Sequence, residues 1–247
     1  MVGRIFIISG INNNHLAIEF GKNGDIKSLA IDNGRNILAQ NGMCIWLKHG
    51  TITDMLSGVF SNFLEPFHSD DYKCKKESEN SIMFFRQAAG LRLRKEIILS
   101  GYELKINIEV ENVSDSPIHN LQLEFFNAFS VPAPDKRELD YSILYPDKNQ
   151  EKVVVIKSEC FGQRFVKSFP CGSASQLFGC SDKNFHFKIE SEGKCEAVTA
   201  MIFGHIFMRG FNSSKFSLNP RAKYRCVLDF SVEKGSIKKF FPKSSRL

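Results

Sequence analysis

The sequence predicts an all-β protein, a large antiparallel sandwich or barrel, and three observations carry that reading. Short apolar runs recur between Gly, Asn, Asp and Pro residues over almost the whole length, with no sustained helical period. The chain holds 23 Phe in 247 residues, and Phe favours strands and brings a large apolar surface to packed sheets. In the stretch from Leu104 to Glu111 the apolar side chains Leu104, Ile106, Ile108 and Val110 alternate with Lys105, Asn107, Glu109 and Glu111. That period of two is the mark of a strand with one buried and one wet face.

Taken in order, Ile5 to Ile8 is a short apolar run followed by Gly10 and Asn12 to Asn14, which read as a turn. Leu16 to Phe20, the turn Gly21 to Asp25 and Ile26 to Ile31 form a hairpin, since the turn is rich in residues that tolerate positive φ. Asn36 to Ala39 and Met43 to Leu47, with the single Trp46, are two further strands. Thr51 to Phe67 has apolar positions at mixed spacing and reads as a short helix or an irregular crossing, and Ser69 to Asn80 as a polar loop or hairpin tip. Ile82 to Gln87, Leu91 to Leu99 and Leu104 to Val110 follow as strands, with Gly90 and Ser100-Gly101 at the corners.

Asn112 to Pro117 turns the chain into a strand from Ile118, where Leu121, Leu123 and Phe125 fall on one face and Gln122, Glu124 and Phe126 on the other. Asp135 to Gln150 is a long polar connection of the kind that often serves as a binding element. The remaining strands are Lys152 to Ser158, Gln176 to Cys180, Phe185 to Glu190, Ala197 to Phe203, Lys215 to Leu218 and Tyr224 to Val232.

Composition bounds the function. Apolar residues make up 43% and charged residues 24% of the chain, which fits one folded domain over residues 1–247 with a basic tail from about 236. The net charge of +6 is scattered between strands and turns, so nucleic acid is not an expected partner. No run is long enough to span a bilayer as a helix, so no membrane role is expected. Seven cysteines at irregular spacing, with no C-x-x-C pair, predict reduced thiols in a cytoplasmic setting. The six dispersed histidines offer no recognised ligand spacing and there is no Gly-rich phosphate loop, so neither a metal nor another cofactor is expected. Three carboxylates and His68 between Glu65 and Asp71 read as an exposed loop.

The residues with sugar-handling chemistry are Gln122, Glu124 and Phe126. An aromatic ring covers the apolar face of a pyranose, and carboxylate and amide groups bond its hydroxyls in defined directions. Asn127 falls on the core side by strict alternation, and a bulge near Phe126 would turn it toward Glu124. Arg86 and His205 complete the candidate set, as residues that a concave face could share with the Asp135 to Gln150 connection.

Three segments carry a family resemblance: Asn14 to Phe20 with Asn23 to Leu29, the run Leu104 to Phe129 with its Glu-Asn-Val-Ser-Asp-Ser-Pro turn and Glu-Phe-Phe-Asn ending, and Phe216 to Tyr224. Together they resemble the galactose mutarotase-like β-supersandwich, which includes aldose 1-epimerases and the C-terminal β-domains of glycoside hydrolases and glucanotransferases. The resemblance implies a carbohydrate-binding or carbohydrate-metabolism domain. Mutarotases of this kind place a His before Tyr-Phe-Asn as general acid, where this chain has Leu123-Glu124-Phe125-Phe126-Asn127, and Met201 to Arg209 has no counterpart to their late Glu. Anomeric proton transfer needs an acid and a base, so the expectation is a non-catalytic or catalytically altered domain with Glu124 as a sugar contact. The alternatives are an active epimerase-like or glycoside-processing enzyme, and a structural module that partners a subunit of a glycan-processing enzyme.

Overall fold

The computed structural model of the protein describes residues 9–49, 72–130, 141–147, 150–156, 165–170, 174–179, 185–191, 195–203 and 206–234. Among these residues the chain forms strands and no helix. In chain order the strands are β1 (Ser9–Asn12), β2 (Leu16–Phe20), β3 (Ile26–Ile31), β4 (Leu38–His49), β5 (Lys73–Ser78), β6 (Ser81–Ala88), β7 (Leu91–Ser100), β8 (Glu103–Asn112) and β9 (Ile118–Ser130). They continue with β10 (Tyr141–Asp147), β11 (Gln150–Ile156), β12 (Phe165–Pro170), β13 (Ala174–Gly179), β14 (Phe185–Ser191), β15 (Cys195–Phe203), β16 (Ile206–Ser213), β17 (Phe216–Leu218) and β18 (Lys223–Lys234).

Two nine-stranded antiparallel sheets result. The first runs β1-β2-β3-β4-β9-β16-β15-β12, with β17 also on β9, and the second runs β11-β10-β13-β14-β18-β8-β7-β6-β5. Alternation explains how they pack: Leu16, Ile18, Phe20, Ile45, Leu47, Leu123 and Phe125 of the first sheet are buried in one cluster with Phe84, Leu93, Ile97, Ile106, Ile108 and Phe230 of the second. Phe20 and Phe84 meet across the interface with ring centroids 5.2 Å apart. Gly24 makes that approach possible, because its φ is +73° and a Cβ there would lie 2.8 Å from the Phe84 ring.

The second sheet contains a four-stranded meander built from two-residue loops. Ala88 pairs with Leu91 across Ala89-Gly90, both at positive φ, and Ser100 pairs with Glu103 across Gly101-Tyr102. Such loops fix the register of β6, β7 and β8 rigidly. At the far end of β8, the buried Asn112 side chain donates to the carbonyls of Ser116 (2.8 Å) and Leu218 (2.9 Å) and accepts from the Ser114 amide (2.9 Å) and hydroxyl (2.7 Å). The Asn-Val-Ser-Asp-Ser-Pro turn thus ties β8 to β17, and every polar atom of the buried amide is satisfied.

Several elements differ from the sequence reading. Ser9–Asn12 is a strand pairing with β2 where a turn was expected, and the two short strands read at Asn36 to Leu47 are one strand with an irregularity between Leu38 and Met43. Of the two readings of Ser69 to Asn80 the exposed hairpin is the one that forms, with β5 pairing to β6 across Glu79-Asn80, while the connection from Asp135 to Gln150 contains β10. Strands β12 and β16 lie where the apolar pattern was not read as strand. Thr51 to Phe67, the Glu65 to Asp71 cluster and the basic tail lie outside the described residues.

Candidate functional site

The outer face of β5–β8 and β18 forms a groove of about 660 Å³. Its lining follows directly from register, since residues paired across antiparallel strands project to the same side. One row reads Lys73, Phe85, Arg94, Glu109 and Arg225 across five adjacent strands, and the next reads Gln87, Arg92, Glu111 and Lys223. All of these except Arg225 line the groove, together with Met83 and the half-buried Arg86. Phe85 is 38% exposed, the one large apolar side chain so exposed among the described residues. A single exposed ring is ordinary on a protein surface, and what distinguishes Phe85 is its place among the charged side chains that line the groove.

Ion pairs order the floor. Glu109 accepts from Lys223 Nζ at 2.9 Å and from Arg225 Nε at 2.8 Å, and Glu111 accepts from Arg92 Nη1 at 3.0 Å with Lys223 Nζ at 3.8 Å. Arg92 also donates from Nε and Nη2 to Gln87 Oε1, both at 3.4 Å. Each such pair contributes only about 0–1 kcal/mol to stability at this exposure, so the network orients side chains more than it stabilises the sheet. The hydrogen bond from Lys223, reinforced by Arg225 against partial burial, holds the Glu109 carboxyl below its ordinary value. Glu109 is therefore an ionised acceptor at neutral pH and a poor proton donor.

The sequence-derived candidates among the described residues sit elsewhere, with one exception. Gln122 and Glu124 lie in β9 at the centre of the first sheet and are 3% and 2% exposed. Gln122 Nε2 donates to the Ser213 carbonyl at 2.8 Å, while Ser213 Oγ accepts from the Leu123 amide at 3.0 Å. Glu124 is in register with Trp46 on β4 and Asn212 on β16. Two of the three outward positions of the expected sugar face, Gln122 and Glu124, are thus enclosed. Phe126 is opposite Cys44 and Gly210, and Asn127 opposite Met43 and Arg209. Pairing of β9 with β16 steps evenly from Glu124 to Ser130, so no bulge shifts Asn127 from the alternation of Leu123 and Phe125. His205 lies outside the described residues. Arg86 is the exception, because it belongs to the second sheet and lines the groove.

Sequence reading missed Phe85, Gln87, Arg92, Arg94, Glu109, Glu111 and Lys223. The signal that finds them is loop length: two-residue connections after Ala88 and Ser100 set the registers from which the rows can be written down. Among the described residues no group of three or more His, Cys, Asp or Glu is placed to hold a metal ion. No helix there is long and apolar enough to cross a membrane.

The sequence matches no protein-family model and no curated protein. Solved structures resemble it closely in shape. A putative aldose 1-epimerase from Escherichia coli K12 superposes with a TM-score of 0.68 at 10% identity, over 92% of this chain and 99% of that one. A galactose mutarotase-like protein from Lactobacillus casei gives 0.69 at 13% identity, over 92% and 100%. The chain has the galactose mutarotase-like fold. A galactose mutarotase related enzyme from Lactobacillus acidophilus agrees, with a TM-score of 0.66 at 10% identity over 93% and 98%. At such identities the likeness is one of architecture, and within the galactose mutarotase-like fold the chemistry has to be read from this chain's own residues.

Proposed function

We propose that the protein is a carbohydrate-binding domain without epimerase chemistry, and that its saccharide site is the groove on the outer face of the second sheet. The observation that carries the reading is the groove's composition. An exposed ring, Phe85, stands beside ionised acceptors and guanidinium donors that converge from rigidly paired strands. A pyranose laid on the ring offers its hydroxyls to Glu109, held by Lys223 and Arg225, and to Glu111, Gln87 and Arg92, held by bonds from Arg92 to the other two. Glu109 and Glu111 are engaged by cations, so neither is arranged as a general acid opposite a base. The fold supports a place in carbohydrate metabolism, since similarly shaped proteins are described as mutarotase-like. Cys44, Cys74 and Cys226 form no disulfide, which supports the cytoplasmic setting read from the sequence.

A second reading, an active aldose 1-epimerase-like enzyme, is favoured by the nearly full-length match to the Escherichia coli protein. Two measurements separate them. Calorimetric titration with neutral di- and trisaccharides is expected to show binding that Phe85→Ala weakens about tenfold, the loss of one stacking anchor of roughly 1.4 kcal/mol. Polarimetry on freshly dissolved hexoses is expected to show no acceleration of mutarotation. Acceleration by wild-type protein would replace the proposal with the second reading, and absence of all saccharide binding at millimolar concentration would remove it.

A further inference from the structure

Two cations beside the exposed ring form no ion pair among the described residues, although Arg94 stands directly opposite Glu109, whose carboxylate is bonded to Lys223 and Arg225. Lys73, Phe85 and Arg94 are directly opposed on β5, β6 and β7 and therefore project side by side. Adjacent strands are about 4.8 Å apart, so the two charges are anchored roughly 10 Å from each other with the ring between them. Among the described residues Arg94 makes no ion pair or hydrogen bond, and Lys73 makes only a contact in which its Nζ lies 6.0 Å from the Phe85 ring centroid. Glu109 and Glu111, the carboxylates of the groove, are already bonded to Lys223, Arg225 and Arg92. The groove thus has a surplus of positive charge located at the aromatic platform.

We propose that the groove selects an anionic pyranoside, whose ring covers Phe85 and whose carboxylate or ester anion is taken by Arg94 and Lys73. This rests on the saccharide reading of the same groove and adds the substrate class. A neutral sugar leaves both cations without a partner, whereas an acidic one gains charge-assisted hydrogen bonds, bidentate at the guanidinium. The selectivity is electrostatic at an exposed site, so it weakens as salt shortens the screening length to about 8 Å at physiological ionic strength. A uronate and a phosphate or sulfate ester present the same chemistry, and the choice between them is left to the ligands in the test.

The experiment is calorimetric titration of the full chain at low salt with trigalacturonate, with the neutral galactotriose, with galactose 6-phosphate against galactose, and with an oligothymidylate. The expected result is at least tenfold tighter binding of one or both anionic sugars over its neutral counterpart. That preference, read as the ratio of anionic to neutral affinity, disappears in Arg94→Gln and falls in Lys73→Gln. A preference confined to galactose 6-phosphate assigns the anion to an ester, and one confined to trigalacturonate assigns it to a carboxylate. Galactotriose binding with no anionic preference overturns this inference and leaves the saccharide site standing. No saccharide binding at all removes the saccharide site, and oligothymidylate binding more tightly than either anionic sugar replaces it with a nucleic-acid surface.

Discussion

Arg94 and Lys95 are neighbours in β7 with the same charge and opposite fates. Lys95 is 1% exposed and continues the inward set of Leu91, Leu93, Ile97 and Leu99, where its ammonium lies 3.9 Å from Asp25, 3.3 Å from the Asn23 carbonyl and 4.9 Å from the centroid of the Tyr72 ring. Arg94 faces solvent in the groove with no partner. Burial is the principal cause that lowers the Lys95 pKa, with Asp25 opposing, and the same enclosure pushes the Cys44 thiol and the Tyr72 phenol up. The strand's period of two therefore places one cation in the interior and the next in the groove. Position relative to the sheet decides the role, and charge alone does not.

Breaking the inner side is expected to have the largest effect. Asp25→Ala leaves the Lys95 ammonium buried without its carboxylate and should cost about 3 kcal/mol in urea unfolding. Lys95→Met removes the charge instead and should stay within about 1.5 kcal/mol of wild type; if it were the more damaging of the two, the pairing account would be wrong. Next in size, Asn112→Ala strips the turn before β9 of its bonding hub and should cost about 2 kcal/mol, with loosened β17 amides in hydrogen exchange.

The outer side is expected to be nearly silent in stability. Because the folded pKa of Glu109 is lowered, its contribution is complete above the ordinary value of 4.5 and is lost as pH falls through the folded value. Glu109→Gln should flatten that acid limb by less than about 1 kcal/mol, read by urea midpoints between pH 3 and 6, since surface pairs are worth no more. Smallest of all, Phe85→Ala and Arg94→Gln should leave stability within about 0.5 kcal/mol while changing saccharide affinity. A large loss of stability in either would turn the groove from a site into a structural feature.

The contrast also explains what the sequence could reveal. The alternation at Leu104 to Val110 and the turn at Asn112 to Pro117 announced β8 and β9, and the fold class followed from such runs. Lys95 broke the apolar alternation of β7 in letters but not in space, because Asp25 from a distant turn neutralises it. β5 was illegible: all six of its residues are exposed, so it carries no apolar period, and its main-chain pairing with β6 is what makes it a strand. Gln122 and Glu124 looked like an outward face because alternation names two faces without saying whether both are covered. The groove residues were unread because they are dispersed over five strands and meet only through register.

Chemical-shift mapping of amide signals during titration with a saturating neutral trisaccharide tests the central claim most directly. The account predicts perturbations at Phe85, Gln87, Arg92 and Arg94 on the outer face of the second sheet, with Gln122 to Asn127 unmoved. Perturbations centred on Gln122 to Asn127, with Phe85 and Arg94 unmoved, would contradict it and return the saccharide to the centre of the first sheet.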